Sequence, residues 1–153
     1  MKFKDSLVVN DSILLNYEAN DWQDAIKIGT DMLERAGAVT DEYYSAILES
    51  VYHNGPYFII APGLAMPHAR PEKGVRDTAF ALVTLREPVL FDTQQVEVLI
   101  TLAAKDSDSH IEAMQDIAQA IEDENSETGI NLDRFKECKS PDDVILMLSN
   151  IES

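Results

Sequence analysis

Three histidines are the side chains of this chain best suited to chemistry near neutral pH. One of them, His68, lies in a segment with three prolines, Pro62, Pro67 and Pro71, which restrict the backbone and predict a preorganised loop. A neutral imidazole held in this way is a good nucleophile, and guanidinium groups beside it can hold the oxygens of an incoming phosphoryl group. His68 is therefore the first candidate for a phosphoryl acceptor. The competing interpretation is a structural histidine at the top of a strand.

The neighbourhood of His68 is basic within an acidic chain. Residues 68–76 carry three cations and one acid, a local charge of +2, from Arg70, Lys73, Arg76 and Glu72. The whole chain has 12 Lys and Arg against 28 Asp and Glu, a formal net charge of −16. Such a surface repels phosphate backbones and anionic lipid headgroups, so nucleic acids and membrane surfaces are disfavoured as partners. Within the local patch, Arg70 is a candidate for contact with a phosphoryl group.

The other two histidines stand at predicted helix ends. Ser109 and Glu112 have capping-box spacing, which puts His110 at the first position of a helix, where free backbone N–H groups form an anion site. Position alone leaves His110 evenly balanced between a solvated helix-start residue and a phosphoryl contact. His53 comes at the predicted end of a helix, where an imidazolium meets the negative helix terminus, so we assign it a structural role.

Motifs for several other chemistries are absent. The sequence has no glycine-rich phosphate loop, no dinucleotide-binding glycine pattern, no nucleophile elbow and no Cys/His spacing for zinc. We therefore expect no cofactor and no metal. The single cysteine, Cys138, cannot form an internal disulfide and is predicted to be buried with Phe135 in a short amphipathic stretch. Together with the lack of a signal peptide and of a long apolar run, it predicts a cytoplasmic protein without direct membrane insertion.

The elements that must position these residues follow from hydrophobic periodicity. A length of 153 residues and a hydrophobic content of 45% predict one domain, residues 1–153, that folds unaided. Apolar residues at helical spacing predict four principal helices, preceded by the caps Asn20, Thr40, Ser109 and Ser140. Short β-branched and aromatic runs predict strands at 57–61, 78–85 and 96–104, with an edge strand at 13–16. The two long runs hardly alternate, which indicates helices on both faces of the sheet. The predicted fold class is α/β, a single-domain sandwich with a central mixed β-sheet flanked by helices on both faces.

At these residues the sequence resembles a known family. Residues 55–57 (Gly-Pro-Tyr) and 65–75 (Ala-Met-Pro-His-Ala-Arg-Pro-Glu-Lys-Gly-Val) are similar to the phosphorylation-site segment of enzyme IIA domains of the bacterial phosphoenolpyruvate-dependent sugar phosphotransferase system, of the mannitol-fructose type. The order of predicted elements, from the proline-histidine pair to a Ser-His-Ile helix start, also matches over nearly the whole chain. The stretches Gly-Pro-Tyr-Phe and Ala-Pro-Gly-Leu-Ala-Met-Pro-His resemble the ascorbate-specific branch most. Ala69 departs from that branch, in which glycine is expected.

The resemblance implies a phosphoryl relay. The phosphocarrier HPr would phosphorylate His68, and His68 would pass the group to a cysteine of the cognate enzyme IIB, which serves a membrane enzyme IIC, here for ascorbate uptake. The resemblance maps His110 beside the phosphoryl group, and the local charge adds Arg70. It also implies basic residues around the histidine of HPr, which the acidic surface would attract.

Two other functions remain open. The resemblance also allows a regulatory IIA-like module, which would carry the same phosphohistidine but bind other proteins according to its phosphorylation state. A metal-free hydrolase would use His68 as a general base, although the chain lacks a nucleophile motif for that chemistry.

Overall fold

The computed structural model describes residues 2–152 as six helices and a five-stranded sheet. The helices are α1 (Phe3–Asn10), α2 (Trp22–Arg35), α3 (Glu42–Asn54), α4 (Ser107–Ile121), α5 (Asp133–Lys136) and α6 (Pro141–Glu152). The strands are β1 (Ile13–Tyr17), β2 (Ile59–Ala61), β3 (Gly63–Ala65), β4 (Ala79–Phe91) and β5 (Gln94–Ala103). A single 3₁₀ turn, Pro71–Lys73, follows the segment that contains His68.

The sheet is mixed and has the strand order β1-β4-β5-β3-β2. The pairs β1–β4 and β3–β5 are parallel, whereas β4–β5 and β2–β3 are antiparallel. Because β3 and β5 are parallel neighbours, they end at the same edge of the sheet. His68 follows β3 and His110 lies in the helix that follows β5, so the two histidines are brought to one edge.

Helices cover both faces of the sheet, and each face has its own core. Along β4, Phe80 and Leu82 pack with residues of α1, α4, α5 and α6. The alternate residues Ala81 and Val83 pack with residues of α2 and α3. Burial of both sets explains why the sequence of this strand hardly alternates. The predicted α/β sandwich with a mixed sheet and helices on both faces is confirmed.

Two short elements carry no periodic signal in the sequence. Helix α1 has eight residues and buries Phe3, Ser6 and Leu7, which is too few apolar positions for a recognisable stripe. Strand β3 has three residues directly after a proline and begins at Gly63, whose φ of +85° favours glycine. The loop predicted for this part of the chain is therefore interrupted by a strand, and that strand leads into the segment with His68.

Other boundaries shift for identifiable reasons. The edge strand β1 is confirmed, whereas β4 is longer than predicted because a register shift between Thr84 and Val89 lets pairing with β5 continue. The cap of α2 is Asp21 rather than Asn20, since the Asp21 carboxylate accepts a hydrogen bond from the N–H of Asp24 at 2.8 Å. Within the described residues, none of the helices combines the length and apolar character needed to cross a bilayer.

The sheet and α2 approach each other closely at Gly29 and Thr101. A Cβ atom at Gly29 would lie 3.3 Å from the Cβ of Thr101 and less than 3.0 Å from its Oγ1. Thr101 is completely buried, and its Oγ1 has no hydrogen-bond partner among the described residues. Glycine is therefore required here by the spacing between the two layers rather than by its backbone conformation.

Candidate functional site

An open cleft of about 540 Å³ lies at the edge of the sheet where β3 and β5 end. Its walls come from the end of α3, the segment after β3 and the start of α4. His68, Arg70 and His110 all line it, so the fold brings the three predicted site residues together. Of the described residues, His53 is not one that lines this cleft; it is exposed in the last turn of α3, the position to which its structural role was assigned.

The imidazole of His68 is oriented by the backbone. Its Nδ1 lies 2.7 Å from the carbonyl oxygen of Met66. Since a carbonyl oxygen only accepts hydrogen bonds, Nδ1 carries the proton and Nε2 keeps its lone pair. The ring that lines the cleft therefore presents a single nucleophilic nitrogen, Nε2.

Burial lowers the pKa of His68 below the ordinary histidine value of 6.5. The hydrogen bond to Met66 opposes this shift, and the nearby charge of His110 adds to it. The lowered pKa means that the ring is neutral at pH 7. The nucleophilic form of His68 is thus its resting form.

The backbone around His68 is held from two directions. The N–H of Leu102, near the end of β5, donates to the carbonyl oxygen of Pro67 at 3.0 Å. The hydroxyl of Tyr57 donates to the carbonyl oxygen of His68, and the Tyr57 ring meets the imidazole edge-on, with ring centroids 5.3 Å apart. These contacts add to the rigidity that the prolines confer on the segment.

His110 lies beside His68, but its position in the helix differs from the prediction. The ring centroids of the two histidines are 5.3 Å apart. The predicted Ser109 cap is wrong, because α4 begins at Ser107 and is capped by Asp106, whose carboxylate accepts a hydrogen bond from the N–H of Ser109 at 2.8 Å. His110 is therefore inside the first turn, and its N–H donates to the carbonyl oxygen of Asp106 at 3.1 Å.

The shifted cap changes which groups face an anion in the cleft. Three N–H groups precede the first helical hydrogen bond of α4, and since the Ser109 N–H donates to the Asp106 carboxylate, those of Ser107 and Asp108 remain. The Asp106 carboxylate also lines the cleft, and hydrogen bonds from Ser109 lower its pKa, so it is ionised near neutral pH. The cleft thus combines donors for an anion with one fixed negative charge.

The predicted basic patch is only partly gathered at the cleft. Arg70 lines it, is exposed, and has no hydrogen bond or ion pair through its guanidinium within residues 2–152. Lys73 and Arg76 are exposed, and they are not among the described residues that line the cleft. The expectation that all three cations surround the imidazole is therefore wrong: only Arg70 and Pro71 of residues 70–76 are among the described residues that line the cleft.

Cys138 lies away from the cleft in the core beneath α4, α5 and α6, with 6% of its surface exposed. Burial raises the pKa of its thiol, which donates a hydrogen bond to the carbonyl oxygen of Arg134 at 3.2 Å. Its predicted burial is confirmed. Within residues 2–152, no group of three His, Cys, Asp or Glu side chains is placed to hold a metal ion.

Two polar residues that line the cleft and one buried behind it escape analysis of the sequence alone. Asp106 precedes the serine that has capping-box spacing, and Tyr57 occurs in a run that predicts a strand. Tyr43 is fully buried, yet its hydroxyl reaches the backbone of Ala69 and Leu102. The available signal is chemical: a tyrosine on the buried side of a helix needs a hydrogen-bond partner for its hydroxyl.

A mixed sheet between two helical layers, with two histidines over the edge where parallel strands end, is the architecture of an enzyme IIA domain. The chain belongs to the family described as "Phosphoenolpyruvate-dependent sugar phosphotransferase system, EIIA 2", whose model matches residues 6–151. It is 49% identical over 149 residues to the "Ascorbate-specific PTS system EIIA component" of Shigella boydii, an alignment that covers 95% of this chain and 94% of the relative. The resemblance to the family and to its ascorbate-specific branch is confirmed.

Solved structures agree with this assignment. A putative PTS IIA (PtxA) from Streptococcus mutans has a TM-score of 0.88 and 42% identity, covering 99% of this chain and 96% of that one. The mannitol-specific cryptic enzyme IIA CmtB from Escherichia coli has a TM-score of 0.81 and 33% identity, covering 98% and 99%. Enzyme IIA of the mannitol system of Escherichia coli, solved in complex with phosphorylated enzyme IIB, has a TM-score of 0.75 and covers 92% and 95%; at 23% identity it shows the fold alone.

Proposed function

We propose that the protein is a phosphohistidine relay component that accepts a phosphoryl group from phospho-HPr on His68 and passes it to a cysteine of its enzyme IIB. The observation that carries the proposal is the 2.7 Å contact of Nδ1 with the carbonyl of Met66, which leaves Nε2 as the nucleophile of a neutral ring in an open cleft. The curated relative at 49% identity suggests ascorbate as the substrate of the transport system. The place of action is the cytoplasm, where HPr and enzyme IIB would meet it.

The transfer needs no proton donor or metal from this chain. The Nε2 lone pair of His68 attacks phosphorus, and the phosphorus–nitrogen bond of phospho-HPr breaks with its electron pair returning to the HPr imidazole. The proton on Nδ1 stays in its hydrogen bond to Met66, which favours the positive charge that the phosphorylated ring acquires. In the second step a thiolate of enzyme IIB attacks phosphorus, and the electron pair of the phosphorus–nitrogen bond returns to Nε2.

The groups that would hold the phosphoryl oxygens come from three parts of the cleft. His110 is adjacent to His68, Arg70 has no hydrogen-bond or ion-pair partner for its guanidinium within residues 2–152, and Ser107 brings the first turn of α4 to the cleft wall. Such donors are effective because a loose phosphoryl transition state spreads its charge over the equatorial oxygens. The Asp106 carboxylate belongs to a residue of the same cleft, but it is exposed, so solvent and salt screen its repulsion of the phosphoryl oxygens.

The rim of the cleft combines apolar contact with long-range attraction. Ile111 and Tyr57 line the cleft and remain 56% and 40% exposed, so they offer apolar area to a docking protein. The net charge of −16 would attract a basic carrier during approach. The local donors act only after docking, so the two effects do not conflict.

The test is phosphorylation with enzyme I, HPr and labelled phosphoenolpyruvate. We expect acid-labile, base-stable label on the wild type and on His53→Ala, and none on His68→Ala, with all three proteins folded. His53 is a matched control because it is exposed and lies outside the cleft-lining residues of the described chain. Label retained by His68→Ala would exclude His68 as the acceptor.

Later steps are tested by adding purified enzyme IIB and then by transport. Rapid loss of label to an enzyme IIB cysteine supports the relay. Stable label that is not transferred, together with phosphorylation-dependent binding of another protein, would instead support the regulatory alternative. Restoration of ascorbate uptake in cells lacking their own ascorbate enzyme IIA, without restoration of mannitol uptake in cells lacking their mannitol enzyme IIA, would establish the substrate.

A further inference from the structure

Tyr43 is the buried residue most directly connected to the segment that carries His68. It lies in the first turn of α3 and has no exposed surface. Its hydroxyl donates to the carbonyl oxygen of Leu102 at 2.6 Å and accepts a hydrogen bond from the N–H of Ala69 at 3.0 Å. Burial raises the pKa of this hydroxyl, so it is protonated and can donate near neutral pH.

These contacts replace one rung of the parallel pairing between β5 and the chain after β3. Leu102 donates its N–H to the carbonyl oxygen of Pro67 at 3.0 Å. In a parallel ladder, each paired residue makes two hydrogen bonds to the neighbouring strand. Its N–H donates to the carbonyl oxygen of the residue before its partner, and its carbonyl oxygen accepts from the N–H of the residue after its partner. The partner of Leu102 is therefore His68, and the expected next bond joins the N–H of Ala69 to the carbonyl of Leu102. The Tyr43 hydroxyl stands between those two groups and bonds both.

We infer that Tyr43 is a positioning residue for His68: its hydroxyl is inserted between Ala69 and Leu102 and thereby sets the distance of the His68 segment from β5 and the orientation of the imidazole in the cleft. The inference rests on the proposed function, since it assigns Tyr43 to the phosphoryl-accepting step. Without the hydroxyl, the rung either closes directly or leaves two unpaired backbone groups. Direct closure would move the peptide groups flanking His68, whereas unpaired groups would leave those peptide groups without the contact that fixes them.

The position of the ring depends on that placement. The imidazole of His68 makes two contacts that fix its orientation. Its Nδ1 bonds the backbone carbonyl of Met66, and its ring meets the Tyr57 ring edge-on. A displacement of the Ala69 peptide group changes the backbone angles of His68 and therefore the direction of its side chain. Misplacement of a reacting group by about 1 Å can cost about 100-fold in rate.

The test compares Tyr43→Phe with Tyr44→Phe. The control removes a hydroxyl from the next residue of the same helix, where it bonds the carbonyl oxygen of Gln23 at 3.4 Å, away from the cleft. We expect the maximal rate of phosphorylation by phospho-HPr to fall by about 10- to 100-fold in Tyr43→Phe, with an unchanged KM for phospho-HPr, and to stay at the wild-type value in the control. Equal maximal rates in the two variants would overturn the inference.

Two NMR measurements separate positioning from a general loss of stability and need no phosphoryl donor. In folded Tyr43→Phe, the ring ¹⁵N shifts of His68 should lose the Nδ1–H tautomer signature, whereas Tyr44→Phe should keep it. In the wild type, the Ala69 amide should resist hydrogen exchange although its segment lines an open cleft. Unchanged ring shifts in Tyr43→Phe, or rapid exchange at Ala69, would refute the role of Tyr43 even if His68 is the phosphorylation site. Absence of label on wild-type His68 would instead refute the proposed function.

Discussion

Replacing Gly29 with alanine tests the contact between α2 and β5. The new Cβ would meet Oγ1 of Thr101 at less than 3.0 Å, and Thr101 is fully buried. Overpacking of this kind costs about 1–3 kcal/mol, whereas replacing glycine by alanine inside a helix contributes about 1 kcal/mol of favourable propensity. We therefore expect Gly29→Ala to lower the free energy of unfolding by up to about 2 kcal/mol.

The same replacement should behave differently when Thr101 is alanine. Thr101→Ala removes Oγ1 and leaves only the contact with its Cβ, which would be 3.3 Å from the new methyl group. A shift of a few tenths of an ångström relieves that contact, so the helical propensity of alanine is regained. In this background we expect Gly29→Ala to be neutral or to stabilise by up to about 1 kcal/mol. The coupling free energy between the two sites is then about 1–3 kcal/mol.

The assay is urea unfolding of the wild type, both single variants and the double variant, followed by far-UV circular dichroism. Equal m-values would show that the changes reflect stability rather than a different unfolded state. Labelling of His68 provides a control for the fold, because neither residue lines the cleft in the described chain. If the effects of the two substitutions simply add, within about 0.5 kcal/mol, steric contact at Thr101 is not the reason for glycine at this position.

Three further predictions concern the cleft. His110→Ala should still be labelled but should transfer the group about 10²- to 10³-fold more slowly, as measured by rapid quench; wild-type rates from HPr and to enzyme IIB would remove His110 from the site. The second-order rate of phosphorylation should fall as the salt concentration is raised. Arg70→Lys should keep this salt response but slow the chemical step, because lysine lacks the planar two-donor fork of arginine. Stopped-flow traces across a salt series test both: a rate independent of salt contradicts the first prediction, and an unchanged chemical step in Arg70→Lys contradicts the second. The pKa of His68 is lowered below 6.5 in the folded protein, so the ring stays neutral and the phosphorylation rate should be maintained as pH falls through 6.5. The unfolded chain binds a proton at the ordinary pKa of histidine, so the free energy of unfolding should decrease as pH falls below 6.5. A pH titration of both quantities checks this, and His68→Ala should lose that part of the stability change; an acid limb of the rate above pH 6.5 would contradict the lowered pKa.

Local chemistry in the sequence was sufficient for the class of fold and the principal candidate residue. Long apolar runs that do not alternate predict a sheet buried on both faces, and the structure confirms this at β4 and β5. The proline-histidine segment identified His68 and the family without reference to distant parts of the chain, because the signal is contained in consecutive residues. Local spacing was not sufficient to predict the cap of α4. Ser109 has the spacing of a capping box, but the Asp106 carboxylate accepts the capping hydrogen bond from the N–H of Ser109.

Only the tertiary structure decided how the site is assembled. His68 and His110 meet because β3 and β5 are parallel neighbours, and the three-residue β3 is too short to be recognised in the sequence. The Tyr43 hydroxyl reaches from α3 to β5 and the His68 segment, a contact that depends on how α3 packs against the sheet rather than on any spacing along the chain. Periodicity and caps are properties of adjacent residues and are therefore visible in a sequence. The distances between side chains from different elements arise only when the elements pack, because strand order and layer spacing determine which residues come into contact.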